Sequence, residues 1–296
     1  MTVIIKRQAL FLYLSRIKQH SMKTIIIPTD FSPAATNAVN YAVDMALAVN
    51  ANVLLLHVYN IPIALGDIPV ALLSVDELKN AAEENIGRLK KDLEHTTSGK
   101  LKIYAETRLG NVIDELEELC KKVRPFAVVM GTTGVSAVER TLFGSNTLSA
   151  IKHLTCPVIC VPKGKEYGKG VHKIGLACDF REVVETTPVS EIKDFVKEFH
   201  AQLFVLNVDY DNQQFRADTP EQSALLHTAL EEVHPEYHFI TRKDIEDGIN
   251  EFVEKHNIDL IIAIPKKHKL LDGLFKKSST RQLVFETHVP VMCVHE

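Results

Sequence analysis

Short apolar runs alternate along the chain with longer segments whose apolar positions recur every three or four residues. The short runs predict buried strands, and the longer segments predict amphipathic helices. In the first half, strands are predicted at 24–28, 53–59, 101–107, 126–130 and 157–161, with helices beginning near residues 33, 75, 112 and 147. This alternation predicts an α/β fold, in which a parallel sheet carries helices on both faces.

The same order of elements returns in the second half, so the sequence predicts two copies of one α/β domain. The segment 173–180 repeats the first strand and the residues after it, and the segment 202–208 repeats the second strand. The segment 259–264 repeats 126–131. The final strand matches best, because Cys-Pro-Val-Ile-Cys-Val at 156–161 returns as Val-Pro-Val-Met-Cys-Val at 289–294.

Two segments lie outside these predicted domains. Residues 1–21 carry four basic residues, no acidic residue and an apolar patch too short for a signal peptide. Because Met22 directly precedes the first strand, we interpret 1–21 as an extension outside the fold. Residues 162–170 hold three glycines and three lysines, which predicts a short flexible linker. The predicted domains therefore span 22–163 and 171–296.

The clearest candidate for chemistry follows the fourth strand, where Gly131, Gly134 and the pair Gly144-Ser145 flank one loop. Glycine tolerates positive φ and, having no Cβ, lets a ligand approach the backbone closely. A Gly-Ser pair at a helix start presents N–H groups, a hydroxyl and the positive end of the helix dipole, which together suit a phosphate. On spacing alone, a nucleotide phosphate site and ordinary turn glycines fit equally well.

A carboxylate is expected opposite these glycines. Ligands of doubly wound sheets bind at the carboxyl ends of the strands, where the strand order reverses. With five strands that point lies between the first, which Asp30 follows, and the fourth, which Gly131 follows. Asp30 has an alternative role as a cap of the next helix, and for Asp179 in the second copy we favour that role. His57 lies inside an apolar strand, so we interpret it as a hydrogen-bonded core residue rather than a base.

The second copy lacks the glycines. Aligned from its last strand, it places Ile264, Lys267 and Lys277 where the first copy has Gly131, Gly134 and Gly144. Side chains there would block a phosphate, so we expect a nucleotide in the first copy alone. Five lysines between 266 and 277 form a basic cluster, which we interpret as a solvated face, with an anion site as the alternative.

These residues resemble the universal stress protein family in its tandem two-domain form, over residues 22–296. The resemblance rests on Pro-Thr-Asp-Phe-Ser at 28–32, on Leu-His-Val at 56–58, and on the spacing Gly131-x2-Gly134-x9-Gly144-Ser145. It implies two tandem Rossmann-like (adenine nucleotide alpha hydrolase-like) domains, each with a five-stranded parallel sheet. It also implies that the two copies pair with each other as an intramolecular pseudo-dimer, and it leaves open a homodimer of the whole chain.

By resemblance, the first copy binds ATP or another adenine nucleotide, with Mg²⁺ or Mn²⁺ bridging the phosphate oxygens. Asp30 would be the carboxylate at the ribose or the metal. The residues expected at the nucleotide are Pro28, Thr29, Asp30, Val58, Met130, Gly131, Gly134, Gly144, Ser145 and Asn146. No catalytic residue and no metal site built from protein ligands alone is predicted.

Composition and charge narrow the classes of partner. The 296 residues are 46% hydrophobic and 24% charged, as in soluble globular proteins, and the net charge of −4 provides no basic field for nucleic acid. No apolar run approaches the roughly 18 residues of a membrane span. The odd number of cysteines, five, favours reduced thiols and a cytoplasmic protein. Cys160 and Cys293 hold equivalent places in the two last strands and would lie close together if those strands pair.

Three functions are compatible with these features. The favoured one is a universal stress protein in which ATP bound to the first domain sets the conformation or the partner, with the second domain as a non-binding pseudo-partner. The alternatives are a slow ATPase or autophosphorylating enzyme, and a nucleotide-independent interaction scaffold. The phosphate-loop sequence G-x4-G-K-[ST] is absent, and no nucleophile has an adjacent histidine, so at most weak hydrolysis is expected.

Overall fold

The computed structural model describes residues 23–61, 74–132, 144–210, 216–242, 244–265, 283–284 and 286–296. The elements of the first half are β1 (Thr24–Pro28), α1 (Pro33–Ala48), β2 (Asn52–Tyr59), α2 (Val75–Thr96), β3 (Ile103–Leu109), α3 (Val112–Val123), β4 (Ala127–Gly131), α4 (Ser145–His153) and β5 (Val158–Val161). Those of the second half are β6 (Lys173–Ala177), α5 (Val183–Thr186), α6 (Val189–Glu198), β7 (Gln202–Tyr210), α7 (Thr219–Leu230), a 3₁₀ turn (Glu231–Val233), β8 (Glu236–Arg242), α8 (Ile245–His256), β9 (Leu260–Ala263) and β10 (Val291–Cys293).

Side-chain caps set where the first three helices begin. At α1, Ser32 Oγ accepts a hydrogen bond of 3.2 Å from the N–H of Ala35, and Pro33 fills the first helical position. At α2, Ser74 and Glu77 form a reciprocal capping box. At α3, the side-chain oxygen of Asn111 accepts hydrogen bonds from the N–H groups of the first turn.

The described strands form one sheet in the order β3-β2-β1-β4-β5-β10-β9-β6-β7-β8. Neighbouring strands within each half are parallel, and the strand order reverses between β1 and β4 and again between β6 and β9. The halves meet where β5 and β10 pair antiparallel, with Ile159 opposite Met292. The predicted fold class, two five-stranded parallel α/β units, is confirmed, and the two units share a continuous sheet.

The internal repeat extends to the backbone conformation. Phe31 and Phe180, which follow the first strand of each half, both have left-handed backbone, with φ of 62° and 49°. Arg124 and Asn257, which end the helix before the fourth strand of each half, have φ of 49° and 53°. Left-handed backbone is uncommon for residues other than glycine. Its recurrence at matching places therefore supports a duplication of the whole domain.

Two apolar layers cover the sheet, one on each face, and both run from one half into the other. One layer packs under α1, α2, α6 and α7 and includes Ile27 and Ile174 from the first strands of the two halves. The other packs under α3, α4 and α8 and includes Val128 and Ile261 from the two fourth strands. Because both layers cross the junction of β5 and β10, each half completes the core of the other.

The segment between the halves is docked on α1. Asn37 Nδ2 donates hydrogen bonds to the carbonyl oxygens of Pro162 at 3.1 Å and of Lys165 at 3.3 Å. The ring of Tyr167 meets Tyr41 edge-on, with 5.3 Å between ring centroids, and burial raises the pKa of Tyr167 to about 12. The prediction of a flexible linker at 162–170 is therefore wrong, because side chains of α1 hold its backbone.

Aromatic side chains add a second contact between the halves. Phe126, just before β4, stacks on Phe195 of α6 with 4.3 Å between centroids and 16° between the ring planes. Phe199 lies 6.2 Å from Phe126 in the same cluster, and Lys23 forms an ion pair with Glu198 beside it. The start of β4 is thus anchored to a helix of the other half.

We expect Phe126→Ala to lower the free energy of unfolding by about 2 kcal/mol, because it removes a stacked ring from the contact between the halves. Urea denaturation followed by circular dichroism measures the change. The matched control is Phe239→Ala, since Phe239 is 51% exposed on β8 and its ring stacks on Phe180 inside one half, and its loss should stay below about 1 kcal/mol. Equal losses for the two variants would contradict a special role of the Phe126 stack.

Candidate functional site

A cavity of about 480 Å³ lies at the carboxyl ends of β1 and β4, where the strand order of the first half reverses. Its volume is in the range of small-molecule sites. Nine of the ten residues that the sequence nominated for a nucleotide line this cavity: Pro28, Thr29, Asp30, Val58, Met130, Gly131, Gly144, Ser145 and Asn146. The tenth, Gly134, lies outside the described residues.

Sequence reasoning missed seven further residues that line the cavity: Ser32, Ala34, Ala35, Asn60, Asn111, Val112 and Thr147. They come from the first turns of α1, α3 and α4 and from the segments after β2 and β3. Asn60 directly follows β2, and Asn111 is the second residue after β3. The reversal of strand order points to the ends of β1 and β4 and did not select these two residues, which reach the cavity because the carboxyl ends of all parallel strands lie at one edge of the sheet.

Three helices begin at the cavity, and they differ in how their first N–H groups are satisfied. Ser32 caps α1 and Asn111 caps α3. Gly144 precedes α4 and has no side chain to offer, and no other side chain in the described ranges caps that helix. Uncapped N–H groups at a helix start carry partial positive charge. The start of α4 is therefore the place at this cavity that is best suited to an anion.

Gly131 is required by the packing of the protein itself. A Cβ built on this residue would lie 2.2 Å from the carbonyl oxygen of Ala34, in the first turn of α1. Thr147 Oγ1 donates a hydrogen bond of 3.1 Å to the carbonyl oxygen of Gly131, which ties the start of α4 to the end of β4. Neither Gly131 nor Gly144 is in the left-handed region, so it is the missing Cβ of Gly131, and not its φ, that the packing requires.

Asp30 is exposed at the cavity, and its Oδ1 accepts a hydrogen bond of 3.0 Å from the N–H of Ser32. Because Ser32 is the cap of α1, the alternative that Asp30 caps this helix is wrong. Asp179 makes the matching turn in the second half by accepting from the N–H of Arg181 at 3.2 Å, and it does not cap α5 either. Among the described residues that line the cavity, Asp30 is the one with a charged side chain.

His57 holds the end of β1 in place. Its Nδ1 lies 2.8 Å from the carbonyl oxygen of Thr29, and because a carbonyl can only accept, we assign the hydrogen to Nδ1. In the second half Asn207 occupies the equivalent place and donates from Nδ2 to the carbonyl oxygen of Cys178 at 2.9 Å. The interpretation of His57 as a hydrogen-bonded structural residue is confirmed, since the two halves make the same bond with different side chains.

The second half differs at the place of Gly131. Val128 pairs with Val158 in the first half and Ile261 with Val291 in the second, which puts Ile264 at the position of Gly131, as the sequence alignment predicted. Ile264 packs against the apolar layer under α6. The equivalents of Gly134 and Gly144, Lys267 and Lys277, lie outside the described residues, as does the whole basic cluster.

The helix after the first strand differs as well. The counterpart of α1 is divided into α5 and α6 around Thr187 and Pro188, and it begins after Glu182 in left-handed backbone. A helix that followed the path of α1 would bring its first turn onto the Cβ of Ile264, as the 2.2 Å distance at Gly131 indicates. The isoleucine and the divided helix therefore have the same steric cause, because a helix on the path of α1 has no room for a side chain at this position.

Two other kinds of site are absent from the described ranges. No helix there is long and apolar enough to cross a membrane. No group of three or more histidine, cysteine, aspartate or glutamate side chains there is placed to hold a metal ion. Any metal at the cavity would therefore need ligands beyond these side chains.

Comparisons with known proteins agree with this architecture. The model of the universal stress protein family matches the chain twice, at residues 22–162 and 170–295. A universal stress protein of Methanocaldococcus jannaschii is 33% identical over 148 residues, which cover 49% of this chain and 84% of that protein. The crystal structure of a universal stress protein from Archaeoglobus fulgidus superimposes with a TM-score of 0.70 at 18% identity, covering 92% of this chain and 96% of that one.

A universal stress protein whose crystal structure was determined in complex with cAMP is also similar to part of the chain. It is 22% identical, with a TM-score of 0.37, and covers 49% of this chain and all of its own length. The archaeal structure matches both halves together and shows that the tandem arrangement of the fold occurs in another protein.

Replacing single glycines by alanine tests at which positions the packing of the protein has no room for a Cβ. Gly131→Ala is expected to cost at least about 2 kcal/mol of stability without any ligand, because its Cβ would collide with the backbone of α1. Gly144→Ala should cost less, since its Cβ would be 3.2 Å from Thr147 Oγ1, a side-chain atom that can move. Thermal unfolding of the ligand-free variants measures both.

Gly87→Ala serves as the control, because Gly87 lies inside α2 with nothing within 4 Å of a built Cβ. Alanine there should raise stability by about 0.5–1 kcal/mol. If Gly131→Ala proved as harmless as Gly87→Ala, the close approach of α1 to β4 would be refuted.

The second half also suggests the conservative replacement for His57. His57→Asn should retain the bond to the Thr29 carbonyl, as Asn207 does in its half, and should be more stable by about 1 kcal/mol than His57→Leu, which leaves that carbonyl without its donor. Chemical denaturation of both variants provides the comparison. Equal stabilities would mean that the ring of His57 contributes through packing alone.

Proposed function

This chain belongs to the universal stress protein family, and we propose that its first half binds ATP, or another adenine nucleotide, as a regulatory ligand, while its second half binds none and acts as a pseudo-partner. One observation carries the proposal. The uncapped start of α4, held beside Gly131, opens into the same cavity as the carboxylate of Asp30.

The phosphates would lie at the start of α4. The backbone N–H groups of Ser145 and Asn146 and the hydroxyl of Ser145 are the donors available there, and the helix dipole favours negative charge. The Thr147 hydroxyl is already engaged by the carbonyl oxygen of Gly131. Because no lysine or arginine lines the described part of the cavity, these backbone donors would provide much of the attraction.

The nucleoside would occupy the side of the cavity formed by β1, β2 and the end of β4. Pro28, Val58 and Met130 provide apolar surface for a base. Asp30 would accept hydrogen bonds from the ribose hydroxyls with the carboxylate oxygen that does not bond Ser32. A hydrogen bond to a charged acceptor contributes more than a neutral one.

A divalent cation fits this cavity as an ion held mainly by the ligand. Asp30 is the one carboxylate among the described lining residues, and Mg²⁺ normally keeps several waters and binds one or two carboxylates plus phosphate oxygens. Mg²⁺ or Mn²⁺ would neutralise phosphate charge there. The binding step itself is assigned to the backbone of α4 and to Asp30.

The second half is assigned a supporting role. Ile264 fills the place where the first half needs a glycine. The counterpart of α1, which lines the cavity in the first half, is divided into α5 and α6 and begins differently. Its last strand, β10, pairs with β5, whose neighbour β4 leads to the cavity. This pairing supports a pseudo-dimer in which one half supplies the site and the other supplies the surface that stabilises it.

We expect the full chain to bind ATP and Asp30→Ala to weaken that binding about tenfold or more, because a hydrogen bond to a charged acceptor is lost. Isothermal titration calorimetry with ATP, with and without Mg²⁺, measures the change. Asp179→Ala is the matched control, since Asp179 makes the same backbone turn in the half without a site, and it should leave the affinity unchanged.

Further ligands distinguish the alternatives. AMP, cAMP and GTP compared with ATP report the selectivity for base and phosphates, and phosphate release over hours reports hydrolysis. Rapid ATP hydrolysis that Asp30→Ala abolishes would indicate an enzyme and would overturn the regulatory role. No heat and no thermal stabilisation with any of these nucleotides would overturn the proposal in favour of a nucleotide-independent scaffold.

A further inference from the structure

Two pairs of cysteines meet in the structure, and they differ in their surroundings. Cys160 on β5 and Cys293 on β10 are both wholly buried, and a hydrogen bond with Cys293 and burial raise the pKa of Cys160 well above its usual value. Cys120 on the last turn of α3 meets Cys156, which lies between α4 and β5. All four are free thiols.

The Cys120 and Cys156 sulfur atoms are in contact, with 2.7 Å between the two Sγ atoms. Cys156 is half-buried and follows the exposed Thr155, so this pair reaches the surface through Cys156, beside which Cys120 is 5% exposed, whereas both cysteines of the pair between β5 and β10 are wholly buried. Reactivity of a cysteine depends on access and on thiolate character together. Access therefore favours the reaction of Cys120 and Cys156 over that of Cys160 and Cys293.

The hydrogen bond between the sulfurs also sets the order of reaction. The hydrogen bond with Cys156 lowers the pKa of Cys120, and the same bond together with burial raises the pKa of Cys156. Cys120 is thus the sulfur that more readily carries the negative charge, and the thiolate is the nucleophile in thiol oxidation. Cys156 is placed to attack the sulfenic acid that forms on Cys120 and to convert it into a disulfide.

We propose that Cys120 and Cys156 are an oxidation site, at which a hydroperoxide converts two thiols into a disulfide between the end of α3 and the segment before β5. The Cys120 thiolate attacks one peroxide oxygen, and the O–O bond breaks. Hydroxide departs as the leaving group, and Cys120 becomes a sulfenic acid. This hydroxide removes the proton of Cys156 and becomes the first water. The Cys156 thiolate then attacks the sulfur of Cys120, the S–S bond forms, and the oxygen of the sulfenic acid departs as a second hydroxide. That hydroxide takes up the proton first lost by Cys120 and becomes the second water. The thiols lose two electrons and hydrogen peroxide becomes two waters.

The crosslink would join the last turn of α3 to the segment after α4, and the opposite ends of both helices line the cavity. Asn111 and Val112 at the start of α3, and Ser145 and Asn146 at the start of α4, are lining residues. The disulfide would close a loop between residues 36 apart in sequence that contains β4 and α4. Closing such a loop restricts the unfolded chain, so the oxidised protein should melt a few degrees higher. Oxidation itself does not depend on nucleotide binding.

Hydrogen peroxide applied to the native full chain, followed by unfolding and alkylation, tests the proposal. The number of alkylated thiols should fall from five to three, and dithiothreitol should restore five. Tryptic digestion should join peptide 109–121, which holds Cys120, to peptide 153–163. That second peptide contains both Cys156 and Cys160, so fragment spectra must assign the bond to Cys156.

Variants make the test specific. Cys156→Ser should abolish the crosslink and leave Cys120 as a sulfenic acid that dimedone traps, and it should abolish the rise in melting temperature. Cys293→Ala, the control in the buried pair, should still form the crosslink. Five alkylated thiols after peroxide treatment, or a bond between Cys160 and Cys293 in place of the expected one, would overturn the proposal.

Discussion

The pairing of β5 with β10 is the interaction on which the rest of the structure depends. Ile159, Cys160, Val291 and Met292 are all completely buried, and they are so because each half covers the last strand of the other. Left unpaired, either strand would be an apolar edge with unsatisfied backbone groups, which invites aggregation. Pairing satisfies those groups and joins the apolar layers on both faces. The position of β4, and with it the cavity, follows from this junction.

The two halves share the features that connect the first strand to the next helix, and they differ where that helix approaches the fourth strand. Both keep the aspartate turn after the first strand, the left-handed phenylalanine, and a side chain that donates to the carbonyl at the end of that strand. These features stabilise the crossing from strand to helix and serve the fold. The halves diverge where α1 approaches β4, because Ile264 excludes a helix from the path that Gly131 allows. A difference in packing at one residue thereby changes the path of the helix whose first turn lines the cavity in the first half.

Much of this architecture could be predicted from the sequence. Apolar periodicity indicated the strands, the repeat indicated two units, and the reversal of strand order brought Asp30 and Gly131 to one cavity. The end of β3 was misplaced by two residues because its pairing with β2 continues through Arg108 and Leu109 without an apolar run. Three other features have no local signal: the approach of Ala34 to Gly131, the docking of Tyr167 on α1, and the contact of Cys120 with Cys156. Each joins segments that are far apart in sequence, so only the folded chain reveals it.

The docked segment between the halves also determines which strands can meet. β6 lies three strands away from β5 in the sheet, a distance of about 14 Å at the usual strand spacing, and residues 162–172 bridge it. A short tether of this kind holds β10 near β5 at an effective concentration in the millimolar range. Separate single-domain chains that pair through their last strands can exchange subunits and form mixed dimers. In this protein the covalent connection favours pairing within the chain, which places the half with the cavity beside the half that differs from it.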